Sequence, residues 1–393
     1  MREELKRQVG TCIDRCSGEL TELADTIWNN PEYNFKEYKA CRSITGLLEK
    51  HGFEVERGTG GIETAFHAFC DSGKPGPHIA FLAEYDAVPG MGHACGHNLM
   101  AAMSAGAGIA VKSVLPQLKG SISVFGTPAE EGGGGKVIML ENGAFNGVDA
   151  AMIIHSANET VVNDISYSRT DIIVDFFGKG AHAATWPEEG VSALDPLLLL
   201  FQHISQMRLR WNGQGTILGI ISEGGEDPIH IPEHCQGKFT VRSFSMKTKK
   251  KLLGDFLEAC EAAARMTRTT WQWKEDGYTY EDIRNNPVIE DVLAEQFTRL
   301  GETVMPRRKE LGIGCTDVGN LTHAFPGPPI LCPGGSPAPG THKGIRRCLQ
   351  KSGRTQGGPD WRQGTCHDCG GAFIRRQPYG TGGQGLSGYE EAV

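Results

Sequence analysis

The 393-residue sequence lacks the features that mark several classes of binding protein. It has no long cluster of lysine or arginine and carries a formal net charge of -8, which argues against nucleic acid or an anionic membrane as the main partner. The apolar run at 197–201 is too short to span a bilayer. The first residues are charged and contain no secretory signal, so we expect a soluble, cytoplasmic protein that acts on small molecules.

Cysteine is abundant, but the pattern of a disulfide scaffold is missing. The twelve cysteines are scattered over a long chain without an export signal, so we expect most of them to be reduced and buried. A chain of this length exceeds the usual limit for a single hydrophobic core, which predicts two domains.

The hydrophobic periodicity predicts two kinds of sheet. Two helices between residues 20 and 51, and then alternating strands and helices up to about 165, favour an open α/β sheet. From residue 166 the order strand, helix, strand, strand, helix predicts a small antiparallel sheet with helices on one face. We therefore predict a discontinuous α/β domain of residues 1–165 and 280–343, with an inserted α+β, ferredoxin-like domain of residues 166–279.

The densest group of chemically active residues is His93, Cys95 and His97, followed about thirty residues later by Glu130 and Glu131. A thiolate, imidazoles and a carboxylate suit zinc or a neighbouring divalent transition metal. One of the adjacent acids can bind metal while the other takes a proton from an activated water. Each residue alone is more often a packed or solvated side chain. The combination, at the ends of successive predicted strands, favours a hydrolytic metal site.

Five segments resemble motifs of one family in their order and spacing: AEYDAVP at 83–89, GHACGHN at 92–98, PAEE at 128–131, GKGAHAA at 178–184 and TDVGN at 316–320. They resemble the binuclear-metal amidohydrolases, aminoacylases and carboxypeptidases of metallopeptidase family twenty, over residues from about 20 to 342. The branch with the greatest resemblance contains p-aminobenzoyl-glutamate hydrolases, auxin-conjugate hydrolases and dipeptidases acting on β-alanyl or basic dipeptides.

This resemblance implies a site for two divalent transition-metal ions, with zinc as the first expectation and manganese, cobalt or nickel as alternatives. The implied ligands are Cys95, His97, Glu131, His155 and His342. Cys95 would replace a bridging aspartate, because a thiolate shared by two cations has a strongly lowered pKa. Glu84 stands where other branches carry a ligand histidine.

The resemblance also implies catalytic roles. Glu130 would be the general base, and Asp86 would orient a metal ligand from behind. His182 would polarise the scissile carbonyl in the active site of a partner subunit, with a homodimer formed through the inserted domain; composition alone leaves a packed histidine equally open.

Three further residues are candidates for substrate binding. Arg242 could hold a substrate carboxylate or form a surface salt bridge. Thr316 and Asn320 would shape the pocket near His342, where Asp317 could equally be a helix N-cap.

We therefore predict a metal-dependent amidohydrolase or dipeptidase that cleaves the amide bond of small N-aminoacyl or N-aminobenzoyl amino acids. One alternative is an N-acyl-amino-acid deacylase, which would prefer acetyl or longer acyl groups. Another, of a different class, is a catalytically silent dimeric binding protein with an incomplete metal site.

Residues 344–393 differ from the rest of the chain. They contain twelve glycines but only five isoleucine, leucine or valine residues, without helical or alternating period, and such a stretch cannot close a core. Dropping one base near Gly344 in a permitted back-translation yields a sequence similar to the last helix of the family. Our hypothesis is therefore a shifted reading frame, which the gene sequence would test.

Overall fold

The computed structural model describes residues 2–157, 160–307, 314–325 and 330–334. The expected ligand His342 and the segment 344–393, with its hypothesis of a shifted reading frame, lie outside these residues. The helices are α1 (Arg2–Trp28), α2 (Tyr38–Lys50), α3 (His97–Val114), α4 (Gly135–Glu141), α5 (Leu194–Trp211), α6 (Met246–Thr267), α7 (Pro287–Arg299) and α8 (Val318–Ala324). The strands are β1 (Glu54–Arg57), β2 (Phe66–Asp71), β3 (His78–Ala83), β4 (Ser121–Gly126), β5 (Ala150–Ser156), β6 (Ser168–Phe177), β7 (Ala181–His182), β8 (Gly215–Glu223), β9 (His230–Ile231), β10 (His234–Ser243), β11 (Thr270–Glu275) and β12 (Ile330–Gly334).

The larger sheet is mixed, with the strand order β1-β2-β4-β3-β5-β12. Strands β4, β3, β5 and β12 are parallel, whereas β1 and β2 extend one edge in antiparallel orientation. This arrangement confirms the predicted α/β fold class. Because β3, β4 and β5 are parallel, their carboxyl ends meet at one edge of the sheet, which is where ligands gather in open α/β sheets.

Helix α3 fills the centre of the larger core. A Cβ at Gly106 would come within 2.8 Å of Leu20 in α1, and one at Gly108 within 2.4 Å of Val124 in β4. Glycine at both positions therefore lets α1 and the sheet approach α3 closely. Within the described residues, His97–Gln117 is the one helical segment long and apolar enough to cross a membrane, but 67% of it is buried inside the fold, as in a core helix.

A second, antiparallel sheet has the strand order β11-β6-β10-β8. Leu200 of α5 and Phe256 of α6 pack against Val174 of β6 and Phe239 of β10, which places both helices on one face. This is the small antiparallel sheet expected between residues 166 and 279. The domain boundaries themselves stay a prediction. Strands β7 and β9 form a separate two-stranded ribbon that carries His182.

The cysteines of the described residues agree with the expected reduced state. Cys12, Cys16, Cys41, Cys70, Cys235 and Cys260 are free thiols, and four of these six are buried: Cys16, Cys41, Cys235 and Cys260. Cys95, the expected metal ligand, is partly exposed.

Two histidines converge on one serine on the larger sheet. The Nδ1–H of His78 donates to the carbonyl of Gly147 at 3.2 Å, so its Nε2 accepts from the hydroxyl of Ser123 at 2.7 Å. The Nε2–H of His67 in turn donates to Ser123 at 2.7 Å. His67 also stacks on Phe125 at 4.3 Å between ring centroids. This direction of the hydrogen bonds is the one that a neutral His78 allows.

We expect this cluster to make the fold sensitive to acid. Burial lowers the pKa of both His67 and His78. Below about pH 6.5 the unfolded chain therefore binds more protons than the native one at these sites, and stability falls as the pH decreases. His67→Phe keeps a ring on Phe125 and removes one proton site. In urea unfolding at about pH 7.5 and 5.5, we expect the variant to lose less stability on acidification than the wild type; an equal loss would contradict this origin.

Candidate metal centre

The carboxyl ends of three neighbouring strands supply the candidate ligands. Glu84 and Asp86 follow β3, Glu130 and Glu131 follow β4, and His155 lies at the end of β5. Because these strands are parallel neighbours, residues distant in sequence meet at one edge. This confirms the predicted placement at successive strand ends.

A glycine turn brings the cysteine and histidine of the GHACGHN segment to the same edge. Gly96 has φ +77°, in the left-handed region, and a Cβ there would come within 2.8 Å of the Ser156 side chain. Only glycine avoids both penalties. The turn thus sets Cys95 before α3 and His97 at its first residue, directly beside the end of β5. His93, by contrast, packs beside Trp28, with 6.5 Å between ring centroids.

Asp86 holds the imidazole of His97 from behind. The Nδ1 of His97 lies 3.1 Å from Asp86 Oδ1 and 3.0 Å from the Asp86 carbonyl, so it carries the proton and donates. The second oxygen of Asp86 accepts from the backbone N–H of Glu131 at 2.9 Å. One carboxylate therefore orients two expected ligands, as carboxylates commonly do behind metal-bound histidines.

Two groups of potential ligands share His97. Cys95, His97 and Glu131 form one group, and Glu84, His97 and His155 form the other; within each, the ligand atoms lie within 4.8 Å of one another. The Nε2 of His97 is buried and makes no hydrogen bond to any described residue. A largely buried donor set of thiol, imidazole and carboxylate, in which the His97 nitrogen has no hydrogen bond to described residues, fits a transition-metal cation.

Negative charge dominates this edge of the sheet. Although burial alone would lower it, the carboxylates of Asp86, Glu84 and Glu131 raise the pKa of His97 to about 10. Burial raises the pKa of Glu130 well above its usual range, and Glu84 and Glu131 raise it further. The metal-free site therefore favours cations at its centre.

The two adjacent acids make different contacts. Ala129, directly before them, has φ +57°, a strained value for a residue other than glycine. The Glu131 side chain reaches 3.9 Å from His97, whereas the Glu130 carbonyl accepts the hydroxyl of Tyr280 at 3.0 Å. Tyr280 thus fixes the backbone of the expected base.

A buried lysine joins the site, which the sequence did not lead us to expect. The ammonium of Lys136 in α4 lies 2.6 Å from Glu84 Oε1 and 2.7 Å from Asp317 Oδ1. The backbone N–H of Lys136 also donates to Asp317, at 2.9 Å. Asp317 directly precedes α8, but its carboxylate does not cap that helix. The only available signal was a lysine within the otherwise apolar segment after the glycine run.

The remaining predicted site residues lie outside this cluster. Arg242 is only 9% exposed, so it is not part of a surface salt bridge, and its Nε makes no hydrogen bond to described residues. The amide of Asn320 is already occupied, because it donates to the Thr279 carbonyl and accepts from the Glu281 N–H. The hydroxyl of Thr316 accepts from the N–H of Val318 at 3.3 Å.

Taken together, two adjacent carboxylates beside two overlapping sets of potential metal ligands are the arrangement expected of a metal-dependent hydrolase. The peptidase family M20/M25/M40 matches residues 80–346 of this chain. The chain belongs to this family, and it is a hydrolase of peptide or amide bonds in small substrates.

Individual relatives agree with this placement. The chain is 33% identical over 346 residues to the Xaa-Arg dipeptidase of Homo sapiens, covering 83% of this chain and 79% of that protein. It is 32% identical over 320 residues to one of the subunits of the p-aminobenzoyl-glutamate hydrolase of Escherichia coli strain K12, covering 76% of this chain and 66% of that protein. A dinuclear metal-binding peptidase of Bacillus subtilis has the same fold, with a TM-score of 0.66 and 20% identity over 86% of this chain and 96% of that one.

Proposed function

We propose that the chain binds two divalent transition-metal ions, zinc in the first place, and hydrolyses N-aminoacyl or N-aminobenzoyl amino acids. The observation that carries this proposal is that two groups of potential ligands meet at His97, whose Nε2 can bind one ion while the remaining ligands of the other group hold the second. Its relatives include a dipeptidase named for arginine dipeptides and a hydrolase of p-aminobenzoyl-glutamate. Both names describe an amide bond to an amino acid with a free carboxylate.

Different residues of the site have different roles in the reaction. Bound divalent cations would lower the pKa of the attacking water and polarise the scissile carbonyl. Glu130 accepts the proton of this water and delivers it to the leaving nitrogen. Asp86 keeps His97 and Glu131 in place throughout, through its two hydrogen-bonded oxygens. His342 is proposed as the remaining ligand.

Arg242 is the proposed partner of the substrate carboxylate. It is a buried cation with a free Nε–H in the described part of the chain, and a guanidinium binds a carboxylate through two parallel hydrogen bonds. It lies on β10, paired with Arg169 of β6. A carboxylate in the substrate would therefore meet a desolvated and preorganised donor.

A panel of substrates tests the proposal against its closest alternative. We expect β-alanyl, basic and p-aminobenzoyl dipeptide-like amides with a free carboxylate to be cleaved at higher kcat/KM than N-acetyl amino acids. A preference for N-acetyl or longer acyl groups would favour the deacylase instead; an N-acetyl-L-cysteine deacetylase of Bacillus subtilis is also similar, at 28% identity over 272 residues. Amidated substrates without the carboxylate should be poor in either case.

Catalytically silent binding is the less favoured alternative. Glu130 and four of the five expected ligands meet at the strand edge, which a chain without catalysis would not need. If no amide in the panel is hydrolysed although the intact amides bind tightly, that alternative would be supported.

His182 is proposed to act in the active site of a second copy of the chain. Its Nδ1 accepts from the backbone N–H groups of Ala184 and Thr185, each at 3.3 Å. The proton of neutral His182 therefore lies on Nε2, where it can be donated to a substrate carbonyl. On the edge strand β8, Leu218 and Ile220 are 47% and 62% exposed, and such an edge can pair with the same strand of another copy.

Mixing two inactive variants tests this arrangement. We expect His182→Ala and Glu130→Gln each to lose most turnover, because each lacks one group of the combined site. When subunits exchange, a mixed dimer has one site with both wild-type residues, so about a quarter of wild-type turnover should return. If the mixture stays inactive although mixed dimers are detected by mass, His182 does not serve the partner site.

A further inference from the structure

The carboxylate of Glu84 is divided between two partners. Oε1 lies 2.6 Å from the ammonium of Lys136, and Oε2 lies 3.3 Å from the Nε2 of His97. The side chains of Glu84 and His97 are each only 1% exposed, so the contact between them is shielded from solvent. Each oxygen of the Glu84 carboxylate therefore faces a different partner.

The contact between Glu84 and His97 requires a cation. Since the Nδ1–H of His97 is donated to Asp86, the Nε2 of the neutral ring presents a lone pair to the lone pairs of Glu84 Oε2. Neither atom makes a hydrogen bond to a described residue. Two such atoms face each other stably only with a proton or a metal ion between them.

The separation of these atoms agrees with shared coordination. Two ligands of one tetrahedral zinc ion, a nitrogen and a carboxylate oxygen at ordinary bond lengths, lie about 3.4 Å apart. The observed separation is 3.3 Å. A third potential ligand, His155, completes the group within 4.8 Å, and its ring stands perpendicular to that of His97, with 5.7 Å between centroids.

Resting on the proposed function, we propose that Glu84 is a metal ligand through Oε2, and that Lys136 is the positioning residue that directs it. The ammonium holds Oε1, which leaves Oε2 as the atom that faces His97. Lys136 is itself fixed at both its ammonium and its backbone N–H by Asp317. A ligating carboxylate whose second oxygen is hydrogen-bonded is the usual arrangement around bound metals.

Lys136 also offsets the cost of burying the additional carboxylate of Glu84. It is fully buried, and it neutralises one of the two carboxylates that it contacts. A third carboxylate beside Asp86 and Glu131 would otherwise add uncompensated charge to the interior. Lys136 and Glu84 therefore act together. The lysine ammonium holds the glutamate in position, and the glutamate remains the metal ligand.

Zinc affinity, measured by competition with a chromophoric chelator, tests both parts of the proposal. We expect Glu84→Gln to weaken the binding of one ion by more than about tenfold, and Lys136→Met to weaken it by about 10- to 100-fold. Asp317→Asn removes a buried carboxylate that holds Lys136 but is not itself a proposed ligand, so its effect on zinc affinity should be smaller than that of Glu84→Gln. Lys249→Met removes another buried lysine, which bonds Thr170, and should leave zinc affinity unchanged.

The absorption spectrum of the cobalt-loaded chain distinguishes a residue that binds the metal directly from a charged residue that only lies nearby. Glu84→Gln should change the visible bands of Co²⁺, whereas Asp317→Asn should leave them in place. Lys136→Arg, which keeps the charge, is the substitute if Lys136→Met fails to fold, and it should retain more affinity than Glu84→Gln.

The outcomes distinguish this inference from the proposed function. If the wild-type chain binds no zinc, the proposed metal centre itself fails. If the wild type binds zinc and Glu84→Gln matches it in affinity and cobalt spectrum, Glu84 is not a ligand, while the hydrolase proposal stands. If Lys136→Met binds zinc as tightly as the wild type or more tightly, Lys136 does not position Glu84.

Discussion

Replacing Glu130 by glutamine is expected to reduce turnover by about 100- to 10,000-fold, because the amide can neither accept the proton of the attacking water nor pass it to the leaving nitrogen. The side chain stays the same size, and the backbone carbonyl still accepts the Tyr280 hydroxyl. The proposed ligands Cys95 and His97 are untouched. We therefore expect metal content and thermal stability close to those of the wild type, measured by elemental analysis and calorimetry alongside kcat.

The neighbouring acid supplies the matched control. Glu131 has its carboxylate 3.9 Å from the Nε2 of His97 and belongs to a ligand group, whereas Glu130 does not. Glu131→Gln should lose metal as well as turnover. If Glu130→Gln keeps wild-type kcat, another group is the base; if Glu131→Gln keeps full metal content at wild-type affinity, the division of roles between the two acids is wrong.

Removing the metal is expected to abolish hydrolysis and to destabilise the fold. The ions would supply several kcal/mol of transition-state stabilisation, equivalent to about a thousandfold in rate or more. Without them, Glu84, Asp86 and Glu131 converge on a single imidazole. Binding to the native state alone adds about 2.7 kcal/mol of stability at a free metal concentration about 100 times Kd, so the metal-free chain should melt at a lower temperature.

Chelation followed by gel filtration, with kcat and Tm measured before and after, checks this expectation. Adding zinc, manganese or cobalt should restore both quantities, and the metal that restores the highest kcat/KM identifies the preferred cofactor. Magnesium, which favours sites built from oxygen, should restore little. Full turnover after complete removal of transition metals would contradict a metal-dependent reaction.

The sequence was sufficient for the larger features because they have strong local patterns. Short apolar strands, such as β3 and β4, and the amphipathic helices α2 and α6 are visible as periodicity. Once β3, β4 and β5 are parallel neighbours, the motifs that follow them must meet at one edge. For that reason the prediction of Cys95, His97, Glu131 and His155 as neighbours did not require a structure.

Strands whose conformation depends on pairing with a neighbouring strand were not predicted from the sequence. Strand β1 has the sequence Glu-Val-Glu-Arg, and most of β11 is exposed, so neither shows the alternation of a half-buried strand. Their pairing with β2 and β6 decides their conformation. The hydroxyl of Tyr280 meets the carbonyl of Glu130 across 150 positions of the chain, a contact that no local pattern reveals.

The contact between Lys136 and Asp317 has a consequence for how the chain folds as it is made. The two residues are 181 positions apart, and at about 5 to 20 residues per second the ribosome needs about 10 to 40 s to add the second after the first. During that time β3, β4 and β5 can already pair, but of its two carboxylate partners in the described chain the ammonium of Lys136 has only Glu84. Until then Lys136 lacks the carboxylate that fixes both its ammonium and its backbone N–H, so the arrangement around Glu84 is completed only when the segment before α8 has been made.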